Sequence, residues 1–119
     1  MLLEQATMKL SKMGVVTKDI PQRVPKLVFL WKKIGLAIHR SSYIADMGSW
    51  TISHYNSGRS VVKYIRTKEQ AVECLQKLYD ILGDWTFTEE EWNAQENQTK
   101  QDIKTYIDEL QQKVIEGRV

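Results

Sequence analysis

Ser49-Trp50-Thr51-Ile52-Ser53-His54-Tyr55, then Asn56-Ser57-Gly58, then Arg59-Ser60-Val61-Val62-Lys63-Tyr64-Ile65, and after Arg66 the run Thr67-Lys68-Glu69-Gln70 decide how this chain folds. Alternating residues on both sides of a short glycine-containing segment mark a β-hairpin. One face carries Trp50, Ile52 and His54, the other Thr51, Ser53 and Tyr55. A three-residue loop ending in Gly58 needs a positive φ at its last position, which glycine adopts freely. That loop predicts the pairs Tyr55–Arg59, Ser53–Val61 and Thr51–Lys63, with Ile52–Val62 and Trp50–Tyr64 between them. Thr67, with Gln70 three residues on, then opens a helix as an N-cap. Ala71, Cys74, Leu75, Leu78, Tyr79 and Leu82 form its apolar stripe, and Gly83 ends it. The result is a β–β–α unit with one apolar face and one polar, basic face.

Further along, Asp84-Trp85-Thr86-Phe87 reads as an extended link. Thr88 and Glu91 make a second capping box before a last helix over residues 89–116. That helix is polar at first, then carries Ile103, Tyr106, Ile107, Leu110 and Val114. On the N-terminal side, Leu2, Leu3, Ala6, Leu10 and Met13 have near-helical spacing and predict a helix ended by Gly14. Pro21 and Pro25 make residues 14–25 a connecting arm. Leu27, Leu30, Trp31, Ile34 and Ile38 make a helical stripe behind Pro25, while Leu36-Ala37-Ile38-His39-Arg40 also reads as a strand, so the segment is taken as a helix to Ile34 and a strand over 36–40. The expectation is therefore an α+β fold. A small antiparallel sheet of two to four strands over residues 36–66 packs against helices over 68–82 and 89–116, all in one domain of 119 residues, with residues 1–25 as an N-terminal helix and arm.

The composition narrows the function classes. With 42% hydrophobic residues, four Trp and five Tyr, the chain is globular in character. Its longest apolar runs, 27–31 and 36–38, fall far short of the roughly 20 residues of a bilayer span. Glu4, Lys9 and Lys12 break up any signal-like apolar region, which points to the cytoplasm. The single cysteine excludes an intramolecular disulfide and a multi-cysteine metal cage. The net charge of +2 hides an asymmetry: eleven Lys and Arg against three acids up to Arg66, then six against twelve. A polyanion would be drawn to the first part and repelled by the second.

No catalytic motif emerges. His39 and His54 lack metal-ligand spacing, and Cys74 lies in a helical apolar stripe, where thiols are packed and unreactive. Ser41, Ser42, Ser53, Ser57 and Ser60 neighbour a histidine in sequence, but no nucleophile elbow presents one of them. Glu89, Glu90 and Glu91 are explained by helix capping, and the six scattered glycines form no phosphate loop. Neither an enzyme nor a cofactor is expected.

Two binding surfaces stand out. Thr51, Ser53, Tyr55, Arg59 and Lys63 would share the outer hairpin face, with Lys32, Lys33, Arg40 and Arg66 beside it. Hydroxyls and cations position phosphates, and a tyrosine stacks on bases, so this face predicts nucleic-acid binding. The other surface consists of Trp31, Trp85 and Trp92, which flank loops or helix starts and would serve as anchors for a protein partner. The stripe from Ile103 to Val114 also suits self-association through the C-terminal helix.

The segment Trp50-Thr51-Ile52-Ser53-His54-Tyr55-Asn56-Ser57-Gly58, followed by Thr67-Lys68-Glu69-Gln70-Ala71, resembles a pattern in small phage and plasmid proteins. There a W-x-[IV]-[ST]-H-x-x-[ST]-G hairpin leads into a [ST]-K-x-x-A helix. The layout is also similar to the three-stranded, helix-backed DNA-binding domains at integrase N-termini. The resemblance implies a non-catalytic accessory protein of a phage or mobile element. Its expected partner is nucleic acid, gripped by the basic sheet face. The alternative is an anti-CRISPR-like inhibitor that binds a host nuclease complex through exposed Trp and the acidic helices.

Overall fold

A computed structural model describes residues 2–10, 24–41 and 48–117. In it, five antiparallel strands lie side by side in chain order: β1 (Glu4–Leu10), β2 (Val24–Trp31), β3 (Leu36–Arg40), β4 (Trp50–His54) and β5 (Ser60–Ile65). Three helices follow, α1 (Lys68–Leu82), α2 (Glu89–Asn93) and α3 (Asn97–Ile115). The fold is α+β as expected, but the sheet has five strands rather than two to four.

The additional strands correct two helix expectations. Glu4–Leu10 is a strand, paired with β2 from Glu4↔Leu30 to Leu10↔Val24, and the rest of the expected helix and arm, residues 11–23, lies outside the described residues. Its signal was the alternation of Ala6 and Met8 with Gln5 and Thr7, which the looser helical spacing masks. A lone helix of that length is marginal in water, whereas seven ladder pairs with β2 are not. Residues 26–34 likewise form no helix. The unbroken run Leu27-Val28-Phe29-Leu30-Trp31 fits a strand that buries Val28 and Leu30 on one face and half-buries Phe29 and Trp31 on the other. Pro25 is tolerated because that part of β2 pairs with β1 alone.

Side chains then sort by face. Phe29, Leu36, Ile38, Ile52, Val62 and Ile65 meet Ala71, Cys74, Leu75 and Leu78 of α1 and Ile103, Leu110 and Val114 of α3 in one core. On the opposite face, Met8, Val28, Leu30 and Ala37 form a second cluster, with Ala6 and Tyr55 packed on it.

The hairpin keeps Ile52↔Val62 but loses the other expected pairs, as Ser53 faces Ser60 and Trp50 faces Ile65. The cause is local. Tyr55 donates its N–H to the Gly35 carbonyl (3.0 Å) instead of pairing with Arg59, while His54 bonds Arg59 across the turn (2.8 Å). Gly58 takes the positive φ required of it, 72°. The register then shifts on either side of Ile52, and Tyr64 sits at φ 63°. Shifts of this kind are bulges that bend and twist a strand. The remaining side of β5 is closed by α3: Gln111 Oε1 accepts the Lys63 N–H and Gln111 Nε2 donates to the Lys63 carbonyl, both at 2.7 Å.

The helix signals hold at their ends. Thr67 Oγ1 accepts the Gln70 N–H (3.1 Å), and Gly83, at φ 79°, stops α1 with its N–H on the Tyr79 carbonyl. Thr88 and Glu91 form the reciprocal capping box. The expected helix over 89–116 is instead two, interrupted at residues 94–96. Trp92 must stack on Phe87 while Ile103, Leu110 and Val114 must face the core, and the exposed residues between them bury nothing that a break would lose.

One contact fixes the turn between β2 and β3. Gly35 has φ 78°, and a Cβ there would lie 2.8 Å from the Trp85 carbonyl oxygen. Gly35→Ala is therefore expected to destabilise the protein by about 2–4 kcal/mol, whereas Gly48→Ala, where a Cβ meets nothing within 4 Å, changes it little. Urea unfolding of the two variants tests the contrast.

Candidate nucleic-acid interface

The register places the sequence-predicted cations at two opposite ends of the sheet. Leu36 pairs with His54, so the β2–β3 turn with Lys32 and Lys33 lies at the same end as the β4–β5 turn with Arg59. Arg40 pairs with Trp50, and Trp50 with Ile65, so Arg40 and Arg66 lie at the other end. Arg59 forms an ion pair with Glu89 (2.5 Å), both largely exposed and therefore worth little in stability. Arg66 is exposed and lies against Gly117 at the end of α3. Lys63 is half-buried, its backbone held by Gln111.

The expected outer hairpin face is not assembled. Ser53 is 1% exposed and Thr51 7%. Ser53 Oγ bonds His39 Nε2 (2.8 Å), and Tyr55 packs on the second apolar cluster. Thr51 and Ser53 do share a face, as alternation requires, but that face is buried here too, which alternation alone does not reveal.

The structure builds a different constellation where β3 ends and β4 begins. The Arg40 guanidinium lies over the Trp50 ring, 4.8 Å from its centroid, and Nη1 reaches the Gly48 carbonyl (3.5 Å). Trp50 and Phe29, both half-buried, touch at 6.4 Å with a 43° tilt. Lys68, the first residue of α1, holds its Nζ 3.8 Å over Phe29. A cation at a helix N-terminus is unfavourable with respect to the helix dipole, and the ring face offsets part of that. Arg40, Trp50, Phe29 and Lys68 thus form one continuous row. Sequence reading chose Arg40 from this row but missed Trp50, Phe29 and Lys68 as binding residues. Phe29 lies in a segment expected to be helical, and Lys68 was explained entirely by its place in the helix.

Of the three expected tryptophan anchors, Trp85 is buried and Trp31 and Trp92 are half-buried. Trp85 is 3% exposed, with its indole N–H on the Leu78 carbonyl (3.1 Å). Trp92 stacks on Phe87 and Trp31 packs on Tyr79, both at 5.4 Å.

Each histidine hydrogen-bonds a serine, His39 with Ser53 and His54 with Ser57, and both pairs are buried. His39 and His54 lie on opposite faces of the sheet. His54 Nε2 donates to the Trp85 carbonyl (2.7 Å), so Nδ1 is the acceptor facing Ser57, whose N–H and Oγ lie 3.3 and 2.8 Å away. Ser57 Oγ also accepts the Arg59 N–H, so the buried Ser–His pair shapes the turn. Burial pushes the Cys74 thiol up to about 11, leaving it protonated at neutral pH. Among the described residues, no group of three or more His, Cys, Asp or Glu is placed to hold a metal ion.

Comparison with known proteins found no matching family, curated protein or solved structure.

Burial lowers the pKa of His54 from its ordinary 6.5, against weaker raising effects from backbone hydrogen bonds and Glu89. Below pH 6.5 the unfolded chain takes up a proton that folded His54 resists. This contribution to stability is thus complete above pH 6.5 and is lost as the pH falls toward the folded-state value. His54→Asn is expected to remove that acid sensitivity and to lower stability at pH 8 by about 1–3 kcal/mol. Thermal melts from pH 8 to 5 would read both effects.

Proposed function

We propose that this is a non-catalytic nucleic-acid-binding accessory protein of phage or mobile-element type, and that its contact surface is the row Arg40–Trp50–Phe29–Lys68. The observation that carries this reading is the pair of cations held over two touching aromatic rings at one end of the sheet. A guanidinium lying on an indole is pre-positioned, so less side-chain freedom is lost when it meets a phosphate. Its outer plane also offers a stacking surface to an unpaired base. Lys68 adds a second phosphate contact along the row, and Arg66 lies beyond Ile65 at the same end. This favours single strands over duplex. The phage or mobile-element context rests on the resemblance of the hairpin and helix motifs.

The test is titration of labelled single-stranded DNA, duplex DNA and RNA at two salt concentrations. Arg40→Ala/Lys68→Ala should lower affinity at least tenfold and reduce the salt slope by about 1.4, as expected for two lost phosphate contacts on a single strand. Arg59→Ala/Lys63→Ala should change affinity less than about threefold, because neither residue belongs to the row. Absence of binding to all three nucleic acids would overturn the proposal. It would turn attention to a protein partner at the groove between α1 and α3, where Ile81, Leu110 and exposed Tyr106 lie among Lys77, Asp80, Glu109 and Lys113.

A further inference from the structure

The imidazole of His54 is enclosed unevenly. Its Nε2–H donates to the Trp85 carbonyl (2.7 Å), and Trp85 is itself buried, with its N–H on the Ile34 carbonyl and its indole on the Leu78 carbonyl. On the opposite side Nδ1 accepts the Ser57 N–H (3.3 Å), within a turn closed by backbone bonds between His54 and Gly58 and between His54 and Arg59. These two sides are fixed by the interior. The ring face is covered differently, by Phe87 stacked at 4.6 Å and 20°. Phe87 is half-buried, and Trp92 of α2 stacks on it in turn. No residue of α2 is buried, and its capping box, Thr88 with Glu91, lies within the segment itself. Exposed Thr86 precedes Phe87, and the exposed residues 94–96 follow α2. Phe87 and α2 are therefore a small unit held on the body chiefly by aromatic faces and by the exposed Arg59–Glu89 ion pair.

We propose that Phe87 and α2 form an acid-released cover: a second proton on His54 swings them off the imidazole, while the sheet, α1 and α3 keep their places. A proton on Nδ1 sets a donor against the Ser57 N–H and leaves it only Ser57 Oγ, which already accepts the Arg59 N–H (3.2 Å). The charge formed is cut off from water, and the ring face of Phe87 offsets only part of the lost hydration. Water reaches it with the least loss of interior contacts past Phe87, because local opening follows the least buried segment. The buried core is built from β3, β4, β5, α1, α3, Ile34 and Trp85, so it survives the departure of α2. Charged groups on the surrounding elements are Glu89 of α2, Arg59 of the β4–β5 turn, Asp84 of the link, and Lys32 and Lys33 of the β2–β3 turn. Backbone hydrogen bonds at Trp85 and Phe87, and Glu89, favour the proton, but burial outweighs them and keeps the covered imidazole below its ordinary 6.5. The cover is thus fully favoured above pH 6.5 and is lost as the pH falls toward the covered-state value. Release uncovers the faces of Phe87 and Trp92, an aromatic surface present only in acid. This inference is independent of the nucleic-acid reading, whose row lies at the other end of the sheet.

Fluorine NMR of the full chain labelled with 5-fluorotryptophan, from pH 8 to pH 5, is the test. The Trp92 resonance, assigned through Trp92→Phe, should move to the position of a solvent-exposed indole in acid. Trp31 and Trp50, which pack on Tyr79 and Phe29, should stay in place. His54→Gln keeps an amide N–H for the Trp85 carbonyl but has no proton to gain, so its Trp92 signal should not respond to pH. Phe87→Ala should show the released Trp92 signal already at pH 8. A Trp92 resonance that stays put at pH 5, or that moves only together with Trp31 and Trp50, overturns the proposal. So does a pH response that survives in His54→Gln, or a Phe87→Ala chain with Trp92 still docked at pH 8.

Discussion

The peptide unit of Trp85 joins the two layers of this protein. Its N–H donates to the Ile34 carbonyl (2.8 Å) and its carbonyl accepts from His54 Nε2 (2.7 Å), while its indole N–H reaches the Leu78 carbonyl in α1. Asn56 adds a bond to the Thr86 carbonyl at 2.6 Å. The link after α1 is thereby fastened to the β2–β3 turn and to the end of β4. The close approach requires glycine at position 35 and a neutral imidazole at 54. Phe87 stacks on that imidazole at 4.6 Å, and Trp92 stacks on Phe87, so the start of α2 inherits its place from the same contact. The bonds from His54 and from the indole are buried, where an unmade polar partner costs more than a made one gains.

The parts legible in the sequence were those governed by local chemistry. Thr67, Gly83 and Thr88 with Glu91 set helix ends through atoms a few residues apart, and each is found as expected. The strand over 36–40 follows from its residue types and the Ile52–Val62 pair from alternation. What the sequence hid depends on distant partners. Glu4–Leu10 is a strand because β2 supplies its ladder, and Tyr55 leaves the hairpin register because Gly35 claims its N–H. The break between α2 and α3 reflects two separate docking surfaces, which a polar linking stretch does not announce. For the candidate site the division is the same: Arg40 stood out as a cation, but only the assembled sheet brings Phe29 and Trp50 together.

Charge asymmetry along the chain does not become a simple two-sided molecule. The acidic run Glu89-Glu90-Glu91 opens α2 near the turn end of the sheet, where Glu89 meets Arg59. The cations at the opposite end lie over aromatic rings or against the end of α3. Folding thus pairs Arg59 with an acid at one end, where Lys32 and Lys33 stay exposed, and lays Arg40 and Lys68 over rings at the other.

The bond pair between Gln111 and Lys63 also has a consequence in time. The two residues are 48 positions apart, and β5 is made well before the helix that closes it. At a synthesis rate of roughly 5–20 residues per second, the ribosome needs about 2 to 10 seconds to make the stretch between them. Throughout that interval a nascent sheet would have its last strand open to neighbouring chains. The bulges in β5 are built into the strand itself and need no later segment to form, so they guard that margin before the glutamine arrives.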